Sequence, residues 1–184
     1  EYHCKYFEVL ASKLADYTEK CTVSFMDLYR NTERNVKTLN IVKDTYEMQV
    51  ELLQRFVEIA KEHGLYIDTC AEIGDFHNIG VEHAHCIDRE RIERIGEFKL
   101  SVDKDTNQRA ECGCVASIDI GAYNTCKNGC LYCYANYSSN TVEKNFVMHN
   151  PKSPLLFGEI DDTDVIKERK VKSLIDNQMN LFDI

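Results

Sequence analysis

Long apolar runs and basic segments are both missing from this sequence, and each absence excludes a class of protein. No stretch approaches the roughly 18 to 20 consecutive apolar residues of a membrane-spanning helix, and no positively charged, apolar leader opens the chain. The net charge is −9, and segments 1–100, 101–150 and 151–184 are each net negative. We therefore expect a cytoplasmic protein that does not enter a membrane and has no basic groove for nucleic acid.

Cysteine, in contrast, is abundant for a chain of 184 residues. Nine cysteines occur, and seven of them fall between residues 70 and 133. An odd number of clustered thiols in a chain without a leader favours metal ligation over a framework of disulfides. Cys4 and Cys21 lie outside the cluster, and we interpret both as small buried hydrophobic residues.

The first hundred residues alternate between helical and strand patterns. The chain opens at Glu1, without an initiator methionine and in a pattern that is already helical, which indicates a fragment or a processed product. Segments 21–29 and 65–71 predict strands, and each follows a helix whose apolar residues recur at three- and four-residue steps. The order predicts an α/β fold with a partial (βα) barrel-like parallel layer, because two strands are too few to close a barrel.

Local signals mark the ends of these helices. Asp44 and Glu47 are spaced as the N-terminal cap of the second helix. Gly64 stands where a left-handed residue would end that helix. A third, short helix is predicted over 88–96.

From residue 101 the pattern changes to polar residues and cysteines. We predict a loop-rich, cysteine metal-binding segment there, followed by a helix over 161–177 that is capped by Asp162 or Thr163. The chain therefore divides into three parts: an α/β portion at 1–100, the metal-binding segment at 101–150, and a C-terminal helix and tail at 151–184.

Cys126, Cys130 and Cys133 have the spacing C-x3-C-x2-C. One loop can wrap a single inorganic centre and supply three thiolates, and Gly129 lets the backbone turn tightly. On a cluster of four irons, three ligands leave one iron open to a substrate or cofactor. We predict a [4Fe-4S] cluster at these cysteines, with a structural zinc site completed by Cys114 as the alternative.

This spacing resembles the signature of the radical S-adenosylmethionine (SAM) superfamily. In that family the open iron chelates the methionine part of SAM, and an electron from the cluster cleaves a carbon–sulfur bond to give a 5'-deoxyadenosyl radical. The residue before the last cysteine lies against the adenine, a role that maps onto Tyr132. The local sequence "CLYCY" is similar to the spore photoproduct lyase branch, so the resemblance implies DNA or nucleotide repair as the most concrete function.

A second resemblance covers nearly the whole chain. The segments "TCAE", "ECGCVASIDIGAYNTC" and "CLYCYAN" resemble the C-terminal part of an uncharacterised bacterial radical-SAM-like family. Members of that family carry a barrel-like N-terminal portion that this chain largely lacks.

Four more clustered cysteines are enough for a second centre: Cys70, Cys86, Cys112 and Cys114. They fit tetrahedral zinc or another iron–sulfur cluster. Cys70 is expected at the C-terminal end of a strand, the rim at which α/β barrels collect functional groups. In an alternative arrangement, Cys112 or Cys114 is instead the fourth ligand of the 126–133 loop, and the spacing leaves both arrangements open.

The end of the chain, "QMNLF", resembles the short peptide by which many bacterial DNA enzymes bind the replication sliding clamp, through Gln178, Leu181 and Phe182. The other interpretation is an apolar terminus that folds back onto its own domain. Two functional hypotheses remain. One is a radical-SAM-like iron–sulfur enzyme, and the other is a non-catalytic, zinc-stabilised binding module.

Overall fold

The computed structural model describes residues 1–37, 39–156 and 158–176. Their elements are, in chain order, α1 (Tyr2–Leu14), β1 (Lys20–Val23), α2 (Arg30–Val36), α3 (Tyr46–Glu62), β2 (Tyr66–Thr69), a 3-10 helix (His77–Ile79), β3 (Glu82–His83), α4 (Arg89–Gly96), β4 (Lys99–Leu100), α5 (Ser139–Val147) and β5 (Ile175–Asp176). The chain forms two compact units. The first contains 1–25, 43–117 and the described residues from 172 onward, and the second contains 26–42 and 118–171.

The main sheet of the first unit is parallel, as the alternation of helices and strands predicts. β2 lies between β1 and β3 and pairs in parallel with both. The described residues form this open three-stranded sheet and no closed barrel. The sequence did not predict β3, because two residues, Glu82 and His83, are too few to show an alternating pattern.

Helices α1 and α3 cover one face of this sheet. The rings of Phe7 and Phe56 stack with their centroids 4.4 Å apart, and Leu53 is fully buried between the helices and the sheet. Burial of a side chain of this size contributes roughly 1.5–3 kcal/mol. Cys4 and Cys21 are partly buried against this core, in agreement with their expected hydrophobic role.

The ends of α3 were only partly predicted. Gly64 has a φ of +68°, which is the expected left-handed conformation. The N-terminal cap, however, is Thr45, whose Oγ1 accepts the N–H of Met48. Asp44 instead accepts a hydrogen bond from the side chain of Gln49.

The predicted C-terminal helix over 161–177 is wrong for its described residues, 161–176. The carboxylate of Asp161 accepts the N–H and the hydroxyl of Thr163, and Asp164 accepts the N–H of Asp161. Such local bonds hold the backbone in a turn and compete with helix formation. Further on, β5 pairs antiparallel with β4 in the first unit.

Two of the helices were not predicted from the sequence. α2 and α5 both belong to the second unit. α5 begins at a conventional cap, since Oγ of Ser138 accepts the N–H of Thr141 at 3.3 Å. Within the described residues, no helix is both long enough and apolar enough to cross a membrane.

Candidate metal centres

The carboxyl ends of the three parallel strands meet at one edge of the sheet. The N–H of Cys70, directly after β2, donates to the carbonyl of Val23 at the end of β1. Cys86 follows β3 by three residues. Functional groups of open α/β sheets collect at this carboxyl edge, so both cysteines occupy a position suited to a site.

Four cysteines of the first unit converge at this edge. Sγ of Cys86 lies 3.5 Å from Sγ of Cys70, and the thiol of Cys114 interacts with the thiols of Cys86 and Cys112. Cys112 and Cys114 are buried together with Ala71. We call Cys70, Cys86, Cys112 and Cys114 the four-thiol cluster.

Backbone hydrogen bonds hold the part of the chain that supplies Cys114. The N–H of Ile87 donates to Sγ of Cys114 at 3.3 Å. The N–H of Val115 donates to the carbonyl of Ile87 at 3.1 Å, and the N–H of Asp105 donates to the carbonyl of Cys114 at 2.9 Å. The position of this thiol is therefore fixed by contacts that do not depend on a bound metal.

The backbone next to the cluster is strained at Ala71 and closely packed at Gly113. Ala71, next to Cys70, has a φ of +50°, and a left-handed conformation costs a non-glycine residue roughly 1–2 kcal/mol. Gly113 lies against the imidazole of His85, where an added Cβ would collide with the ring. Strained or crowded backbone of this kind persists only where the surroundings determine it, and it is common at functional sites.

The thiols of the cluster differ in acidity. Cys86 is an exposed residue, but partial desolvation of its thiol, followed by the hydrogen bond and charge of Cys70, raises its pKa to about 12. Burial also raises the pKa of Cys112. Burial alone would raise the pKa of Cys114, but the N–H of Ile87 and the neighbouring thiols together lower it. Cys114 is therefore the thiol that ionises most readily among these three.

A cavity of about 460 Å³ opens beside the cluster and is lined in part by Cys86 and Lys20. Nζ of Lys20 lies 2.7 Å from Oδ2 of Asp68, and both side chains are less than one tenth exposed. Oδ1 of Asp68 is buried and has no hydrogen-bond partner among the described residues. Buried charges beside a cavity occur both at ligand sites and in structural ion pairs, and Lys20 is the member of this pair that lines the cavity.

Glu72 is a further residue of this edge, to which the sequence analysis assigned no role. Its side chain accepts the N–H of Phe25 at 2.8 Å and the hydroxyl of Ser24 at 3.3 Å, and the residue is buried. The sequence does contain a hint of this role, because Glu72 follows the predicted strand and lies two residues after Cys70, where side chains at the carboxyl edge of a sheet are expected.

The second set of predicted ligands lies in the second unit, on the cysteine loop, which we define as residues 125–135. The loop contains no helix or strand, and Gly129 within it has a φ of +66°. Cys126 and Cys130 are exposed and line an open cavity of about 300 Å³. Cys133 is half-buried and does not line that cavity.

Asn124 fixes both ends of the cysteine loop. Its Oδ1 accepts the N–H of Tyr137 at 2.9 Å and that of Ser138 at 3.2 Å, and its own N–H donates to the carbonyl of Ala135. Asn124 is buried, with a φ of +56°, a conformation that asparagine tolerates better than most residues. The role of this residue was not predicted, although an asparagine two positions before a candidate ligand cysteine is a turn signal.

Two side chains of the cysteine loop, Tyr132 and Lys127, contact other residues of the second unit. The hydroxyl of Tyr132 donates to the carbonyl of Asp27. Nζ of Lys127 lies 2.8 Å from Glu143 of α5 and 4.0 Å from the ring centroid of Phe146. The loop is therefore joined to its unit by contacts at both ends and in the middle.

No group of three or more His, Cys, Asp or Glu side chains within 1–37, 39–156 and 158–176 has the arrangement of a ready-made metal site. The four-thiol cluster and the cysteine loop each gather thiols, and binding an ion would require their side chains to turn toward a common point. The predicted clamp-binding residues, Gln178, Leu181 and Phe182, lie outside the described residues.

Comparison with known proteins assigns a family. No curated protein and no solved structure matches the chain. Residues 1–135 match the family described as "Domain of unknown function (DUF1848)". This match includes all nine cysteines and more than half of the chain. The expected membership of an uncharacterised family is thereby confirmed, and the chain belongs to the DUF1848 family.

Proposed function

We propose that the protein is a radical-SAM-like iron–sulfur protein, with a [4Fe-4S] cluster held by Cys126, Cys130 and Cys133. One observation carries the proposal. The unit that contains these three cysteines, 26–42 and 118–171, has no other cysteine. Three thiolates from one loop would fill three of the four iron positions and leave one open.

The cysteine loop fits such a cluster. Cys126 and Cys130 are exposed, so an inorganic centre can reach them without unfolding the unit. The cavity that they line also presents the amide of Asn136 and the hydroxyl of Ser138. These polar groups can donate hydrogen bonds to the sulfur atoms of a cluster or to a small polar ligand.

Tyr132 is the residue proposed to contact the cofactor. Its ring is partly exposed, and its hydroxyl is anchored to Asp27, so the ring has a defined position beside Cys133. A bound cluster with SAM would supply one-electron cleavage of a carbon–sulfur bond. The protein would contribute the three thiolates and a flat apolar surface for the adenine.

DNA or nucleotides are the substrates that we propose to test first. The similarity of "CLYCY" to spore photoproduct lyase supports this choice. We also interpret the open parallel sheet as part of a barrel-like layer, with the cavity beside Lys20 and Cys86 on the face that a barrel would enclose. The protein's net charge of −9 disfavours a broad basic contact with DNA, so recognition of such a substrate would depend on local contacts at the site.

The tail offers a separate route to DNA. We propose that Gln178, Leu181 and Phe182 bind the bacterial sliding clamp, on the basis of the motif alone. Replacing Leu181→Ala together with Phe182→Ala should abolish capture of the protein by immobilised clamp. If the unmodified protein is not captured, this part of the proposal is wrong.

Anaerobic purification tests the iron–sulfur proposal. The protein should be brown, bleach with dithionite and contain about four irons per chain. Dithionite-reduced protein should then release 5'-deoxyadenosine from SAM, and Tyr132→Ala should weaken this reaction more than Tyr132→Phe, which keeps the ring. Protein that stays free of iron after reconstitution with iron and sulfide would contradict the proposal.

The alternative is a non-catalytic module that is stabilised by zinc and binds a partner. The convergence of the four-thiol cluster favours a metal with a structural role. The two functions differ in metal content, because the alternative predicts zinc without iron. A single analysis of both metals therefore separates them.

A further inference from the structure

We infer that the four-thiol cluster is a second, structural centre that binds one zinc ion through Cys70, Cys86, Cys112 and Cys114. This inference does not rest on the proposed function, because it concerns the first unit and different cysteines. The cluster brings together residues from three separate parts of the sequence, near 70, 86 and 113. All four are free cysteines, and four cysteines are one of the ligand sets that structural zinc sites use.

The distance between sulfur atoms favours a single ion. A tetrahedral zinc with bonds of about 2.3 Å to sulfur places its ligand sulfurs about 3.8 Å apart. Sγ of Cys70 and Sγ of Cys86 lie 3.5 Å apart. On an iron–sulfur cubane each thiolate binds a different iron, so the sulfurs lie farther apart than in a single-ion site. This one pair therefore fits a single zinc ion better than a second cluster, and the other two sulfurs would turn toward it on binding.

The surroundings of the sulfurs resemble the outer shell of a metal site. The N–H of Ile87 points at Sγ of Cys114, and such donors stabilise thiolate ligands. Lys20 and Arg91 line the cavity next to Cys86. Each of these cations is already paired with a carboxylate, Lys20 with Asp68 and Arg91 with Glu19, so the N–H of Ile87 is the donor that acts on the cluster directly.

The inferred role is to fasten a loop to the sheet. The described residues 101–117 contain one isolated bridge, between Lys104 and Val115, and no helix or longer strand. Cys112 and Cys114 would join this segment to Cys70 and Cys86 at the carboxyl edge. Because four protein ligands fill a tetrahedral zinc, the centre would be structural, and the thiols would release their protons on binding.

The test measures zinc and iron together in the full chain, purified without oxygen after growth with both metals. We expect about one zinc per chain in the unmodified protein. Zinc should remain in the triple variant Cys126→Ala, Cys130→Ala, Cys133→Ala and be lost from the double variant Cys112→Ser, Cys114→Ser. Cys4→Ser, which changes a cysteine outside both sets, should keep both metals.

X-ray absorption at the zinc edge identifies the zinc ligands in the unmodified protein, so this measurement does not depend on whether a multiple-cysteine variant folds. The unmodified protein should show four sulfur neighbours at about 2.3 Å. Cys86→His changes the exposed member of the cluster and keeps a possible ligand, so it should give three sulfurs and one nitrogen. A spectrum that Cys86→His leaves unchanged would place zinc elsewhere and overturn the inference.

Other outcomes would also overturn it. Zinc that persists in the Cys112/Cys114 double variant would show that these residues are not ligands. Loss of iron in place of zinc from that variant would indicate an iron–sulfur cluster. A disulfide between Cys70 and Cys86 in zinc-free protein, detected by mass spectrometry, would show that their contact serves redox chemistry. Iron in the cysteine loop is measured in the same samples, so failure of the zinc inference is distinguishable from failure of the iron–sulfur proposal.

Discussion

The side-chain oxygen of Asn124 accepts the backbone N–H of Tyr137 at 2.9 Å, and this bond closes the loop that carries three candidate cluster ligands. The same oxygen accepts the N–H of Ser138, the residue that caps α5. One buried side chain thus positions both the loop and the helix behind it. The cysteines can remain exposed because their loop is anchored from its ends.

The substitution Asn124→Ala should destabilise the second unit. Two partly buried N–H groups would lose their acceptor, at a cost of about 1 kcal/mol each, and alanine tolerates the left-handed φ of +56° less well. Unfolding in urea should show the lower free energy of unfolding. Iron analysis of the anaerobically purified variant should show less bound iron.

Two companion variants distinguish this explanation from a general effect of mutation. Asn124→Asp keeps an acceptor oxygen and should recover most of the stability. Asn140→Ala, on the exposed surface of α5, should have little effect. If Asn124→Asp is as unstable as Asn124→Ala, the two hydrogen bonds are not the cause.

The ion pair between Lys20 and Asp68 should behave as a buried pair. Either Lys20→Met or Asp68→Asn removes one partner, and we expect each to cost about 3–5 kcal/mol, because a charge stays buried without its counterpart. The double variant Lys20→Met, Asp68→Asn should be more stable than either single variant, because it removes both charges. A double-mutant cycle in urea measures the coupling, and additive losses would contradict this account.

Acid sensitivity should depend on Glu93. The side chain of Arg89, followed by the N–H of Leu100 and then Lys99, lowers the pKa of Glu93 to about 2. Its pKa in the unfolded chain is about 4.3. The folded pKa is the lower one, so the stabilisation is present above about pH 4.3 and is lost as the pH falls toward 2.

Glu93→Gln should therefore melt at a lower temperature than the unmodified protein at pH 7, and the difference should shrink between pH 4 and pH 2. Thermal melts across this range measure the effect. Glu51→Gln breaks an exposed pair with Arg55 and serves as the control, for which we expect almost no change at any pH. A constant difference for Glu93→Gln would show that the carboxylate charge is not involved.

Glu97→Gly should stabilise the protein. Glu97 ends α4 with a φ of +56°, which glycine adopts without the penalty that a Cβ brings. The free energy of unfolding should rise by roughly 0.5–1 kcal/mol. This value allows for the larger conformational entropy that glycine has in the unfolded chain. Glu97→Ala keeps the Cβ and should not reproduce it. Equal stability of the two variants in urea would contradict the argument.

The sequence predicted the elements whose signals are long and repeated. α1, α3 and the first two strands followed from apolar periodicity, and their order gave the parallel sheet. The short elements were missed. β3 contains two residues, and its pairing with β2 depends on tertiary contacts that no local pattern encodes.

Burial was harder to predict than periodicity. Only Phe7 and Ala11 of the apolar residues expected on one face of α1 are buried, whereas Tyr6, Leu10 and Leu14 are about half exposed. The sequence shows where apolar residues recur, but the width of the covered face depends on how α3 packs against the helix.

The sequence predicted which cysteines are candidate ligands, but not which residues surround and position them. Spacing identified the seven clustered cysteines, and the structure gathers four of them in one unit and three on one loop. The sequence places Asn124 and Glu72 close to candidate cysteines, but it does not show that they bind the N–H groups of Tyr137 and Phe25. The contact between the N–H of Ile87 and Cys114 also joins residues that are remote in sequence.

The central claim is a cluster with an open iron on the cysteine loop, and electron paramagnetic resonance tests it most directly. Dithionite-reduced, anaerobic protein should give the signal of a reduced [4Fe-4S] cluster, and adding SAM should change that signal, because the cofactor binds the iron that lacks a protein ligand. A cluster signal that is identical with and without SAM would mean that no iron is open to it and would contradict the claim.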